Sequence, residues 1–148
     1  MSNPKALSFQ TTITVRDTCL CLHLQRAARG VARRFDEALR PLGLTSGQFS
    51  LLMSLNRPEP PTVGQVAGVL AMDRTTLTAN LKPLVRRGLV EIRADAADRR
   101  SRRPALTDAG RSLLARALPT WRHEHAAINR PIAAADPDRL RRELRALS

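Results

Sequence analysis

Tyrosine is absent from this 148-residue chain, and the other aromatics come to three Phe and one Trp, 3% in all. Proteins that hold single-stranded nucleic acid stack bases on aromatic rings, so this composition argues against that class. It also removes tyrosine as an acid or hydrogen-bond donor. Cysteine occurs only as Cys19 and Cys21, too few for a disulfide framework. Being two residues apart, they fall on different sides of a helix or on one side of a strand, and no bridge between them is expected. No stretch approaches the roughly 18 to 20 apolar residues that span a bilayer. Residues 1–16 lack the apolar run of a signal peptide. The expectation is a cytoplasmic protein with no membrane partner. There is no Ser/His/Asp arrangement, no Gly-rich phosphate loop and no full metal cluster, so no enzyme and no cofactor are expected. Cys19 and His23 lie at i, i+4 and offer two ligands, too few for a metal. His123-x-His125 is a weak pair.

Acidic residues are the other shortage. Lys and Arg number 25 against 13 Asp and Glu, a formal charge of +12. A chain this basic needs an anionic partner, and phosphate is the commonest. The most informative stretch is Asp98-Arg99-Arg100-Ser101-Arg102-Arg103-Pro104-Ala105-Leu106-Thr107-Asp108-Ala109-Gly110. It reads as a charged turn, a strand and a helix start. Arginines gathered on a turn between strands suit a loop that enters a DNA groove.

The length and the ordinary apolar content fit one domain with a real core. Residues 1–16 are polar and without periodicity, and read as a flexible arm. From Asp17, Leu20, Leu24, Ala27, Ala28, Val31, Phe35, Ala38, Leu39 and Leu42 recur at helical steps, predicting one long helix ending at Gly43. Thr45-Ser46-Gly47-Gln48 and Thr62-Val63-Gly64-Gln65 have the form of capping boxes. The first opens a helix with Phe49, Leu51, Leu52 and Leu55. The second opens one with Val66, Ala67, Val69 and Leu70 inward. Asp73 caps the next, whose Leu77, Leu81, Leu84 and Val85 face the core, with Gly88 as its stop. Pro83 predicts a kink there. Residues 89–93 and 103–106 read as strands around a protruding turn, and Pro104 makes the return strand an edge. Thr107 caps a long helix with Leu113, Leu114, Leu118, Trp121 and Ile128. Asp136-Pro137-Asp138 starts the last helix, with Leu140, Leu144 and Leu147 on one stripe. Two short capped helices around a three- to four-residue joint form a helix-turn-helix, and the hairpin makes it winged. The fold class expected is mainly α with a small β-hairpin wing.

At this point the chain resembles the MarR family of bacterial transcription regulators. Three segments carry the likeness: Leu42-Gly43-Leu44-Thr45-x-x-Gln48-Phe49; Met72-Asp73-Arg74-Thr75-Thr76-Leu77-Thr78 with Arg87-Gly88-Leu89-Val90; and Asp98-x-Arg100-Ser101 followed by Leu106-Thr107-x-x-Gly110. The resemblance implies an obligate homodimer built by the first and last helices, binding a pseudo-palindromic operator in double-stranded DNA. It divides the chain into an arm at 1–16, a dimerisation helix at 17–44, a winged helix-turn-helix at 45–110 and C-terminal dimerisation helices at 111–148.

In a helix-turn-helix the start of the second helix reads base edges in the major groove. The face opposite the leucines there carries Arg74, Thr75, Thr78, Ala79 and Lys82. Arg74 is the first candidate for a guanine; Thr75 and Thr78 suit bases or phosphates; Lys82 suits phosphate. In the wing, Arg100 takes by resemblance the minor-groove position, Asp98 orients it by an ion pair, and Arg99, Arg102 and Arg103 attract phosphate. Thr62 and Gln65 are caps or phosphate contacts. The resemblance also implies release by a small aromatic or phenolic effector in a cleft between the first, second and fifth helices, with Phe35, Phe49, Met53 and Trp121 as candidate lining. The alternative is a thiol sensor. Cys21 sits much like the family's peroxide-sensing cysteine, with Cys19 beside it, though Gln25 and Phe35 stand where that branch keeps tyrosines. His23 and Arg26 are replacement partners for the thiol. A nonspecific architectural DNA-binding protein is a further reading. The leucine stripe of the last helix suits a dimer better than a membrane surface.

Overall fold

The computed structural model describes residues 7–148. Seven α-helices and one hairpin follow in order: α1 (Phe9–Thr18), α2 (Leu20–Leu39), α3 (Ser46–Ser54), α4 (Val63–Val69), α5 (Arg74–Arg86), β1 (Val90–Ala94), β2 (Arg102–Leu106), α6 (Asp108–Asn129) and α7 (Pro137–Arg145). Short 3₁₀ turns at Arg40–Leu42 and Arg130–Ala135 follow α2 and α6. The fold class is the one expected, a mostly helical winged helix.

The core is leucine-rich and central. Leu39, Leu52, Leu77, Leu84, Val66 and Val90 are essentially sealed from solvent, and Leu106, Leu113 and Ala117 close the cluster. On α5 the buried Leu77, Leu81 and Leu84 stand at i, i+4 and i+7, one helical stripe. Truncating such a side chain costs about 2–5 kcal/mol, for lost transfer plus the cavity.

The expected caps form. Thr45 accepts from Gln48 N while the Gln48 side chain accepts from Thr45 N, and Thr62 does the same with Gln65. Asp73 and Thr107 accept from Thr76 N and Gly110 N. Gly88 ends α5 at φ +71°, where Leu89 N reaches back to Leu84 O at 3.0 Å; a side chain there would strain the left-handed turn. At Gly110 a Cβ would lie 2.1 Å from the Leu89 carbonyl oxygen, so α6 starts against the strand only because nothing projects. The antiparallel register runs from Val90↔Leu106 to Ala94↔Arg102. With two strands in the sheet, β2 is an edge, as Pro104 required.

Three expectations need correction. The polar pattern of residues 1–16 predicts a flexible arm, but α1 begins at Phe9; residues 1–6 lie outside the described part. Its polar residues satisfy themselves locally: Ser8 accepts from Thr11 N, and the Thr14 and Thr18 hydroxyls donate to the carbonyls four residues back. The helix buries nothing, so it carries no apolar periodicity to reveal it. The single long helix from Asp17 is broken at Cys19, whose ψ of 106° is extended. Val69 and Val85, expected inward, are 60% and 37% exposed, because Val66 and Leu84 already fill those helices' inner faces. Helix α5 continues through Pro83 to Arg86, with the ring removing the donor that would otherwise meet the Ala79 carbonyl.

Candidate nucleic-acid interface

Opposite the buried leucines, α5 presents Arg74, Thr75, Thr78, Ala79 and Lys82, all exposed. Asp73 fixes where that face begins. Its carboxylate accepts from Thr76 N at 2.8 Å and from the Thr76 hydroxyl at 2.7 Å. Those bonds, the hydroxyl's first, hold Asp73 below its ordinary pKa, so the cap stays ionised. Arg74 lies across the start of α4. A Cβ added at Gly64 would stand 2.8 Å from its Nη2. Gly64 thus leaves the clearance that sets where this guanidinium rests, a role the sequence did not suggest. Thr62 is the N-cap of α4 and half-buried.

The wing is shaped by two aspartates bonding to backbone. Asp95 Oδ1 accepts from Ala97 N at 2.9 Å, and Asp98 Oδ1 accepts from Arg100 N at 2.9 Å. Ser101 N donates to Asp98 O and Asp95 N to Ser101 O, closing the turn. The expected ion pair from Asp98 to the Arg100 guanidinium does not form; Asp98 acts on the Arg100 backbone instead. A short carboxylate prefers N–H groups two residues ahead, as in an Asx turn. This leaves Arg99, Arg100 and Arg102 exposed. Arg103, expected to attract phosphate, is turned inward. Its Nε donates to Asp95 Oδ2 at 2.9 Å and its Nη1 to Pro60 O at 2.8 Å. The Ala97 N–H, followed by Arg103, holds the Asp95 carboxyl below its ordinary value. Sequence reasoning missed Asp95 and Pro60 because they lie 8 and 43 residues from Arg103.

Helix and wing face each other across one groove of about 500 Å³, lined by Val63, Thr78, Leu81, Lys82, Val85, Arg86, Ile92 and Arg102. The fold therefore brings Thr78 and Lys82 together with Arg102. Exposed cations on one helix face and one protruding turn give a positive surface of the kind that meets duplex phosphates.

The other candidates lie elsewhere. Phe49, Met53 and Trp121 line a cleft of about 580 Å³ with Ser50, Ser54, Val69, Leu70 and Leu118. Trp121 stacks between Phe49 (6.2 Å between ring centroids) and His125 (4.6 Å). Phe35 packs on the core instead and does not line this cleft. Cys19 stands at the α1–α2 joint and Cys21 is exposed in the first turn of α2, 3.4 Å from Gln25 Nε2. His23 Nδ1 lies 2.8 Å from Cys19 O, a backbone contact rather than shared ligation. Among the described residues no three His, Cys, Asp or Glu side chains gather where a metal would sit, and no helix is long and apolar enough to cross a membrane.

Residues 42–101 match the model of the MarR family. The transcriptional regulator MosR of M. tuberculosis, in complex with DNA, is similar at a TM-score of 0.79 and 40% identity, over 87% of this chain and 92% of that one. The transcriptional repressor CouR, bound to a 23-mer DNA duplex, is similar at a TM-score of 0.76 and 31% identity, over 86% and 91%. Among curated relatives, the uncharacterized HTH-type transcriptional regulator YwoH of Bacillus subtilis (strain 168) is 32% identical over 84 residues, 57% of this chain. That match spans 61% of YwoH's own length.

Proposed function

The chain belongs to the MarR family of transcriptional regulators, and we propose that it acts as a homodimeric repressor on a pseudo-palindromic operator in double-stranded DNA. One observation carries the reading: the exposed α5 face of Arg74, Thr75, Thr78, Ala79 and Lys82 borders, through Thr78 and Lys82, a groove closed on its other side by Arg102 of a wing whose Arg99 and Arg100 are also exposed. Arg74 reads a base edge, Thr75 and Thr78 touch bases or phosphates, and Lys82 meets phosphate. Arg100 enters the minor groove, Arg99 and Arg102 meet flanking phosphates, and Asp98 shapes the turn. The likeness to DNA-bound MosR and CouR supports this reading. Thr62 serves first as the cap of α4, with a phosphate contact as its second role. The apolar stripes of the terminal helices, 111–148 and those before residue 45, supply the dimer surface. Like the family, it is released by a small aromatic or phenolic effector; the cleft at Phe49, Met53 and Trp121 is the receiving surface.

A second reading rests on a separate observation. Cys19 sits at a break between two helices and Cys21 is exposed two residues on, so oxidation there acts at a joint rather than inside a core. A nonspecific architectural role is the third, and sequence preference separates it from the other two.

Members of this family often regulate their own gene or a divergent neighbour, so the DNA upstream of the coding sequence is the duplex to test. A gel shift should give a preference of about 10³-fold over random DNA of equal length. Equal affinity for both duplexes would refute a specific regulator and leave the architectural reading. Loss of binding with peroxide, restored by a thiol reductant, would replace the small-ligand reading with the redox one.

A further inference from the structure

We propose that Arg103 is a positioning residue of the wing: with Asp95 and the Pro60 carbonyl it latches the hairpin to the loop between α3 and α4, fixing where Arg99, Arg100 and Arg102 are presented. The inference rests on the DNA-binding reading above and adds a part to it.

Three nitrogens of one guanidinium are engaged. Nε and Nη2 meet Asp95 Oδ2 at 2.9 and 2.8 Å, and Nη1 donates to Pro60 O at 2.8 Å. Only an arginine offers donors in such a rigid fork; a lysine carries the charge without it. The pair is partly shielded, with 33% of the Arg103 side chain and 15% of the Asp95 side chain exposed. Its position on the hairpin gives it a second task. Arg103 stands directly opposite Arg93 in the register, and like charges facing each other across strands are destabilising. Each has its own acid: Glu91 pairs with Arg93, and Asp95 with Arg103. Asp95 also shapes the turn through Ala97 N. One carboxylate therefore joins three things: the turn that carries the outward arginines, the strand behind it, and through Arg103 the loop at residues 57–61. Besides this latch, the hairpin meets the rest of the protein through apolar residues at its base, Val90, Pro104, Ala105 and Leu106. Those hold the root and leave the outer turn to be aimed by polar contacts.

Charge and position give opposite expectations, which makes the proposal testable. If Arg103 served DNA as a generic cation, Arg103→Lys would leave affinity unchanged. Asp95→Asn, by removing an anion beside phosphate, would raise it. If the latch aims the wing, both variants bind more weakly, by about tenfold. The double variant should be no worse than either single one, since both break one contact. The experiment measures full-length wild type, Arg103→Lys, Asp95→Asn and the double variant in two ways. One is affinity for a 30-base-pair duplex from upstream of the coding sequence and for a random duplex of the same length. The other is amide hydrogen exchange at residues 95–101 without DNA.

Faster exchange in the turn of both variants, with unchanged exchange at Leu77 and Leu84 and weaker binding, is the expected result. Unchanged exchange overturns the latch whatever the DNA result. Faster exchange with unchanged or tighter binding overturns the positioning role and leaves the DNA reading intact. Failure of the wild type to bind either duplex overturns the DNA reading, and the positioning role with it.

Discussion

Between residues 45 and 110 every leucine is buried except Leu70, which is half-buried; along α1, α2 and α7 the one buried residue is Leu39. Phe9 is 76% exposed, Leu20 58% and Leu147 62%. Both regions carry apolar residues at helical spacing, so the difference is not in composition. The central segment closes its stripes on one another. The terminal helices leave much of their stripes uncovered: Leu22, Leu24 and Phe35 on α2 are only half-buried, and α7 buries nothing. Helix α6 belongs to both regions, with Leu113, Leu114 and Ala117 in the core and its later turns outside it. Apolar side chains left exposed along helices mark a surface made for another molecule, and the proposed second copy would supply a matching one.

The comparison breaks most severely from the centre. Leu77→Ala should lower stability by about 3–5 kcal/mol, since a fully buried leucine leaves a cavity that a close-packed core cannot fill. Urea unfolding measures it, and a loss under about 1 kcal/mol would mean that the α5 stripe contributes little to the core. The ends break differently. Leu144→Glu together with Leu147→Glu should cost about 2–3 kcal/mol per protomer, all of it in association. Sedimentation should find monomers where the wild type is dimeric, and the unfolding midpoint should lose its dependence on protein concentration. A wild type that sediments as a monomer would remove the explanation offered for the exposed stripes.

Smaller changes act within the central surface. Arg74→Ala should lose about 1–3 kcal/mol of discrimination at one base pair and little elsewhere. Arg100→Ala should weaken binding on every sequence and make the salt dependence shallower by about one. Gly64→Ala leaves both arginines in place, but its Cβ would stand 2.8 Å from Arg74 Nη2. It should therefore copy part of the Arg74→Ala phenotype with thermal stability unchanged or slightly raised. Full specificity in Arg74→Ala would shift the register assigned to α5, and an inert Gly64→Ala would show that Arg74 swings clear of α4 when it meets DNA.

How far each region could be read from sequence follows the same division. The capping boxes at Thr45 and Thr62, the stop at Gly88 and the stripe on α5 are local rules, visible over three to seven residues, and they placed the helix-turn-helix. The hairpin was found within one residue at each strand. What stayed hidden depends on distance or on polar bonds. Arg103 meets Asp95 and Pro60 only once the hairpin is folded against the α3–α4 loop. Gly64 matters only because Arg74 comes to lie over it. Helix α1 buries no residue, so its pattern resembles a loop. Cys19 breaks the expected long helix with no proline or glycine to announce it. The candidate DNA face was legible for a physical reason: it is what remains on a short amphipathic helix once the buried leucines are placed.

The finest distinction concerns the joint of the helix-turn-helix itself. Ala71 adopts φ +49°, the left-handed region, in the turn between α4 and α5. Its N–H reaches Gly68 O at 3.3 Å and Met72 N reaches Ala67 O at 2.9 Å, so the last turn of α4 holds this conformation. For an alanine it costs roughly 1–2 kcal/mol. A glycine would relieve that strain but would widen the unfolded ensemble, at about 0.4–1 kcal/mol. Strain relief is the larger of the two, and Ala71 is exposed, so no packing is lost. Ala71→Gly should therefore stabilise by about 0.5 kcal/mol, a rise in Tm of about 2 °C for a domain of this size. Duplex affinity should not change, because the flanking helices set the angle. A lower Tm would mean that the wild-type turn is unstrained in solution; a higher Tm with weaker binding would mean that alanine's stiffness at this joint, rather than the packing of Leu77 and Val66, orients α5 toward DNA.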